Sequence, residues 1–278
     1  IGVKDVRKTI SSVNNQLIKE TCELKIKKYR NTADAFIIEG ARCTEEVLDS
    51  GWDILQAFVD FSTDSERVTK ISDRLETMGI TVFEVTPEVM RRLSDTDTPQ
   101  GILAVVRKQT GDLNDFNINN EGLLLVLDEV RDPGNLGTMI RTADAAGIAG
   151  IILLEGCTDV FAPKAVRSAM GSLFHLPIIK DQNKEDFIRW CCDNNWSLWS
   201  SSLEGGKSIY SEALAKRTAI VIGNEAQGVS SELLSASEKR IYIPMPGNAE
   251  SLNAAIAAGI ILFECVRRKL VTKSIDVL

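Results

Sequence analysis

Between residues 36 and 106, short runs rich in β-branched and aromatic residues alternate with segments of helical periodicity. Residues 36–38 and 55–60 read as strands with a helix over 41–49 between them. A second helix is expected over 66–78, stopped by Gly79 and followed by a strand at 81–85. Thr86 is placed to cap, and Pro87 to open, a short helix running to Leu93, and a strand at 102–106 closes the set. The next stretch, 108–120, is rich in Asn, Asp and Gly and too poor in apolar residues to bury itself, so it reads as a linker. From Gly122 the alternation resumes: strands at 123–128, 151–154, 198–201, 219–222 and 240–243, helices at about 136–146, 163–170 and 184–194, and a closing helix over 251–269. Strands separated by helices predict an α/β fold with a parallel sheet covered on both faces and ligands at the carboxyl ends of its strands. The expected organisation is a first domain over 1–108, a linker over 109–120 and a second domain over 121–278.

Composition narrows the chemistry. With 44% hydrophobic and 26% charged residues, 278 positions suffice for one large or two modest globular domains. No apolar run approaches the roughly 20 residues a bilayer requires. The opening residues show no charged-then-apolar leader, so no membrane association and a cytoplasmic location are expected. Six cysteines lie scattered without CxxC spacing and His175 is the single histidine, so no metal site is expected. His175 sits in the run Leu173-Phe174-His175-Leu176-Pro177, where an imidazole at a core or edge position fits better than a catalytic one. The net charge of −7 argues against indiscriminate binding of polyanions. Residues 1–30 nevertheless carry eight basic and three acidic side chains, a surplus of five, which leaves −12 for the remainder. Lys25, Lys27, Lys28 and Arg30 in that tip can meet phosphates, or simply form a solvated helix face.

Two familiar nucleotide patterns fail on spacing. Gly206-Lys207-Ser208 ends like a phosphate loop, but the position five residues before Gly206 is Ser201, so an exposed lysine on a glycine turn fits better. Gly134 and Gly137 do not make a dinucleotide fingerprint.

Three other segments fall at strand-to-helix junctions of the second half. The first runs from Asp132 to Gly147, with Pro133, Gly134 and Asn135 expected in a turn and Arg141 on the following helix. If both were helical, Asn135 and Arg141 would be about 600° apart, so facing one pocket would require a bend in the first turn; taken alone, the segment is more simply a plain capped helix with a surface arginine. In the second, a strand runs into Gly223-Asn224-Glu225-Ala226-Gln227-Gly228. Its glycines permit unusual φ and close approach of a ligand, and Glu225 can either orient a hydroxyl or ammonium or cap the turn. The third, Ile243-Pro244-Met245-Pro246-Gly247 through Ser251-Leu252-Asn253, is a proline-stiffened loop before a helix started by Glu250 or Ser251, whose small residues let another backbone pack closely.

Taken together, these segments resemble the three motifs of the SpoU (TrmH-like) family of RNA ribose 2′-O-methyltransferases, within the SPOUT superfamily. The matching residues are Asn135, Gly137 and Arg141-Thr-Ala; Gly223-Asn-Glu225-Ala-Gln-Gly228; and Ile243-Pro-Met245, Gly247, Ser251-Leu-Asn253. The first half resembles the family's substrate-binding module through Arg30, Phe36-Ile-Ile-Glu39-Gly40 and Thr96-Asp-Thr-Pro-Gln-Gly101. The resemblance implies a parallel-sheet SPOUT domain with a trefoil knot, preceded by a smaller ribosomal-protein-like α/β/α domain. It further implies a homodimer, S-adenosylmethionine held by Gly223, Ile243, Met245, Gly247 and Leu252, and a ribosomal RNA substrate. Transfer RNA, or a catalytically silent RNA-binding dimer, are the other readings. Catalytic roles would fall to Arg141, Asn135, Glu225, Ser251 and Asn253. Arg141 would bind phosphate and stabilise an alkoxide, since guanidinium stays protonated, while the proton leaves through Ser251, Glu225 or water. RNA contacts would fall to Lys28, Arg30, Arg42 and Arg141.

Overall fold

The computed structural model describes residues 7–113 and 122–275; most of the expected linker lies outside them, as do Lys4 and Asp5 of the basic tip. The chain divides into two compact units, one formed by Ile1–Gln109 with Asp159–Phe174, the other by Thr110–Thr158 with His175–Leu278.

The first unit is built on strands β1 (Arg7–Ile10), β2 (Ala35–Glu39), β3 (Ile54–Val59), β4 (Val82–Val85) and β5 (Ile102–Arg107). They form one sheet in the order β1-β4-β3-β5-β2, with β5 antiparallel to both neighbours. Helices α1 (Gln16–Glu23), α2 (Lys27–Ala33), α3 (Ala41–Ser50), α4 (Glu66–Thr77) and α5 (Pro87–Leu93) connect or cover them. The local signals act as expected: Thr86 accepts a hydrogen bond from the Val89 amide with Pro87 in the first turn, and Gly79 turns the chain after α4 at φ 77°. The elements β1, α1 and α2 were not legible from periodicity, because they are short and largely charged or exposed.

The second unit holds strands β6 (Gly122–Leu127), β7 (Gly150–Leu154), β8 (Ile178–Gln182), β9 (Ser197–Ser201), β10 (Lys207–Ser208), β11 (Arg217–Ile222) and β12 (Lys239–Tyr242). All pairings are parallel, in the order β10-β12-β9-β11-β6-β7-β8. Every residue of β6 is buried, which is why its sequence is an unbroken apolar run. Strands β7 and β8 extend from one side of β6 while the later strands lie on the other, so the order reverses there, and a crevice at the carboxyl ends is the expected place for a ligand. Of its helices, α6 (Pro133–Ala145) follows β6, α7 (Pro163–Ala169) lies in the segment that belongs to the first unit, α8 (Lys184–Asp193) and α9 (Ser231–Ala236) come next, and α10 (Ala254–Ile275) closes the chain.

Two helix starts differ from expectation. Pro133, Gly134 and Asn135 form the first turn of α6 instead of a preceding turn, because the Asp132 carboxylate accepts the Asn135 amide at 2.8 Å and proline suits the first helical position. The closing helix begins at Ala254, not at Glu250 or Ser251: the Asn253 side-chain oxygen takes the amides of Ala255 and Ile256 at 2.9 and 3.2 Å.

Within the first unit, Phe161 and Phe174 place their rings 4.7 and 6.4 Å from that of Phe36, so Asp159–Phe174 is fastened there by burial of aromatic surface. Arg30 completes the fastening and is thereby removed from the set of RNA-binding residues. It is 3% exposed, its Nε and Nη2 donate to one Asp159 oxygen at 2.9 and 2.6 Å, and its Nη1 donates to the Leu24 carbonyl at 2.9 Å. A guanidinium so enclosed cannot reach a phosphate. Arg30→Met leaves the Asp159 carboxylate uncompensated and is expected to cost about 3 kcal/mol. A urea melt that keeps the wild-type midpoint would show that the pair contributes no net stability.

Candidate active site

Loops at the carboxyl ends of β9, β11 and β12 surround a cavity of about 440 Å³, a size typical of small-molecule sites. Residues 201–204, 224–229 and 241–243 line it together with Met245, Ser251 and Leu252, and Ala257 and Ile261 of α10 form part of its wall. Three of the five expected cofactor residues, Ile243, Met245 and Leu252, are therefore in the lining; Gly223 and Gly247 are not. Gly223 serves the loop itself. A Cβ there would lie inside the backbone of Gly228 and Val229, and the amides of Asn224 and Gly228 each bond the other residue's carbonyl, at 3.0 and 2.9 Å. At Gly247, which is exposed, an added Cβ meets nothing within 4 Å, so packing does not demand glycine there. The lining at 201–204 escaped the sequence reading because that glycine-containing turn carries no motif; its position after a strand adjacent to β11 is the one signal that points to it.

Beside the cavity, residues more than a hundred positions apart form one hydrogen-bonded line. Asn253 uses its side-chain oxygen to cap α10, so its Nδ2 must face outward, and it donates to Asn135 Oδ1 at 2.9 Å. With its oxygen so occupied, Asn135 turns its own Nδ2 to Glu225 Oε1 at 3.0 Å. Each amide's orientation is thus dictated by the previous one. Glu225 also accepts from the Arg131 and Asp132 amides at 3.4 and 3.3 Å. The Asn224 side chain takes the amides of Ala226 and Gln227 and donates to the Glu129 carbonyl at 2.9 Å, which shapes the loop holding Glu225.

Partial burial pushes the Glu225 carboxyl up, but the bonds from the Asn135 amide and from the main-chain amides of Glu225, Arg131 and Asp132 outweigh it and hold the group below its ordinary range. Removing the Asn135 amide must therefore raise it. In a carbon-13 NMR titration, Asn135→Ala is expected to move the Glu225 midpoint upward, and coincident curves would show that the amide does not stabilise the ionised form.

The remaining expected residues are not part of this hydrogen-bonded line. Ser251 lines the cavity. Arg141 is exposed and is not part of the lining; since α6 is helical from Pro133 onward, the expected bend is missing and six residues turn Arg141 about 120° away from Asn135. In the first unit Lys28 is exposed, and Arg42 is largely exposed beside Glu46 at 3.8 Å. Lys25 is engaged internally, donating to the carbonyls of Arg92 and Ser94 at 3.2 and 2.6 Å. His175 is an edge imidazole, with Nδ1 2.9 Å from Asp144 Oδ2.

A family model described as SpoU rRNA methylase matches residues 122–263, the stretch holding all of these loops. The chain belongs to the SpoU rRNA methylase family. A second model, an MRM3-like substrate binding domain, matches residues 15–104. Among SpoU relatives, a 23S rRNA (guanosine(2553)-2′-O)-methyltransferase of Bacillus subtilis is 34% identical over 92% of this chain and 98% of its own. The AdoMet-bound crystal structure of an rRNA methyltransferase from Sinorhizobium meliloti is 36% identical with a TM-score of 0.87, covering 95% of this chain and 98% of that one. The SpoU methyltransferase AviRb from Streptomyces viridochromogenes, in complex with AdoMet, is 28% identical with a TM-score of 0.82, covering 92% and 99%.

Proposed function

We propose that this protein transfers a methyl group from S-adenosylmethionine to a ribose 2′-hydroxyl of ribosomal RNA, residues 121–278 performing the chemistry and residues 1–108 holding the RNA. The observation that carries the reading is the convergence of the Asn253, Asn135 and Glu225 line on the loop that lines the cavity, inside a chain whose relatives of matching length are named for rRNA methylation. The cavity fits the cofactor in size and in character. Ile243, Met245 and Leu252 offer apolar surface, and the Asn224 to Val229 loop offers backbone groups and a carboxylate.

When bound, S-adenosylmethionine supplies an electrophilic methyl group; the protein must supply position, dehydration and charge stabilisation to a poorly nucleophilic alcohol. Glu225 remains ionised, held by the Asn135 side chain and by main-chain amides that include those of Arg131 and Asp132. Its depressed pKa makes it a weak final proton acceptor and a good orienting one. Ser251 passes the proton to water, a role supported by its presence in the lining of the same cavity. Arg141 stabilises the developing alkoxide and its neighbouring phosphate. That Arg141 leaves α6 away from Asn135 supports a site completed by a second copy of the chain. On α10, Ile256, Phe263 and Leu270 are 56, 49 and 62% exposed at intervals of seven residues, which forms an apolar stripe suited to such a pairing. Light scattering is expected to give a dimer, and Phe263→Glu a monomer. Lys28 and Arg42 in the first unit contact RNA, and a ribosomal substrate goes with action in the cytoplasm, where ribosomes are assembled.

The test is transfer of labelled methyl from S-adenosylmethionine to purified ribosomal RNA, followed by mapping of alkali-resistant linkages. Label appearing on a base, or on transfer RNA alone, would refute the proposal.

A further inference from the structure

The carboxyl end of β6 carries two acids, Asp128 and Glu129, that the chemistry above does not use. Asp128 is 1% exposed, and its Oδ2 accepts the Ser230 amide at 2.7 Å. Glu129 adopts a left-handed φ of 54°, and its carbonyl accepts a hydrogen bond from the side-chain Nδ2 of Asn224 at 2.9 Å. Asn224 and Ser230 are the two feet of the loop that lines the cavity with residues 224–229. Both carboxylates converge on one ammonium: Lys184 Nζ is 3.0 Å from Asp128 Oδ1 and 3.0 Å from Glu129 Oε1. Glu129 has a second partner in Arg131, whose guanidinium is 3.1 Å from Oε2, but Arg131 is exposed whereas Lys184 is largely enclosed. Lys184 is also the first residue of α8, where the helix dipole disfavours a cation, so the two acids must outweigh that cost. Its pKa reflects this balance: burial pushes it down, and the attraction of the Asp128 and Glu129 carboxylates outweighs burial and holds it above the usual lysine value.

We propose that Lys184 is a positioning residue whose ammonium neutralises Asp128 and Glu129 together and so locks both feet of the cavity loop. Without it, a carboxylate almost wholly out of water would lose the ammonium that compensates it, and the strand end would open to hydrate it. The Ser230 amide and the Glu129 carbonyl would move with that opening, and the cavity wall between them would loosen.

Two readouts test this, and one of them needs no cofactor. Hydrogen exchange of the cofactor-free protein reports protection of the amides from Asn224 to Ser230. Calorimetry with S-adenosylmethionine reports the consequence for binding and rests on the function proposed above. Lys184→Met is expected to speed exchange in this loop by about tenfold or more and to weaken binding by a similar factor. Adding Asp128→Asn removes the buried charge while retaining an oxygen for the Ser230 amide, and should return exchange to within about threefold of wild type. Rescue by removal of a charge is what a merely space-filling lysine stem would not show. Wild-type protection in Lys184→Met, or a double variant as unprotected as the single, overturns the proposal. Should Lys184→Met fail to fold, the double variant must fold and protect the loop, and its failure counts against the lock. Lost protection in Lys184→Met with rescue in the double variant, while no form of the protein binds S-adenosylmethionine, would support the lock and remove the cofactor reading.

Discussion

Arg141→Lys is expected to lower kcat by about a hundredfold or more while leaving the affinities for RNA and for S-adenosylmethionine within about threefold. The argument is geometric. A guanidinium presents a planar fork that can hold a phosphate oxygen and a developing alkoxide at once, and an ammonium is a point charge that holds one at a time. Arg141 is exposed and outside the cavity lining, and lysine keeps its charge, so the replacement is expected to leave the fold and the cofactor wall intact. The loss should therefore fall on the chemical step. Single-turnover methyl transfer with saturating RNA and cofactor isolates that step. Near-normal turnover in Arg141→Lys would remove the arginine from the mechanism.

Gly223→Ala should be the most damaging single methyl group in the second unit. The new Cβ would have to occupy the space of the Gly228 and Val229 backbone, and main chain held by reciprocal hydrogen bonds between Asn224 and Gly228 cannot swing aside as a flexible side chain could. Opening the loop breaks those two bonds, displaces Glu225 from Asn135 and withdraws the wall formed by residues 224–229. The expected cost is about 3 kcal/mol of stability, with cofactor binding weakened by about a hundredfold or more. Chemical denaturation and calorimetry measure the two effects. Gly247→Ala is the matched control, since a methyl group there meets nothing. If both alanines behaved alike, steric closure at Gly223 would not be the reason for glycine.

Local pattern carried a large share of this protein. The apolar run of β6, the Thr86-Pro87 start of α5 and the strand entering Gly223 were readable because each depends on neighbours within a few residues. The motif residues Asn135, Glu225, Ser251 and Asn253 were readable as a set by resemblance. Their division of labour was not. Asn135 bonds to Glu225 across 90 positions and to Asn253 across 118, and both bonds exist because parallel pairing sets β11 beside β6 while α10 packs against α6. Nothing periodic in the chain encodes those distances.

Charge misled in the same way. Arg30 and Lys28 are indistinguishable in a basic stretch, yet one is enclosed by Asp159, a partner 129 residues away, and the other faces solvent. Likewise Lys184 reads as an ordinary helix-start lysine until the sheet brings β6 against it. By itself, then, the sequence determined where most of the helices and strands form and which side chains could act, because those follow from short-range sterics and hydrophobic period. Only the tertiary structure decided which cations are spent on the fold, which glycine closes a loop and which amide points at which carboxylate, because these depend on groups that become neighbours only once the sheets have assembled.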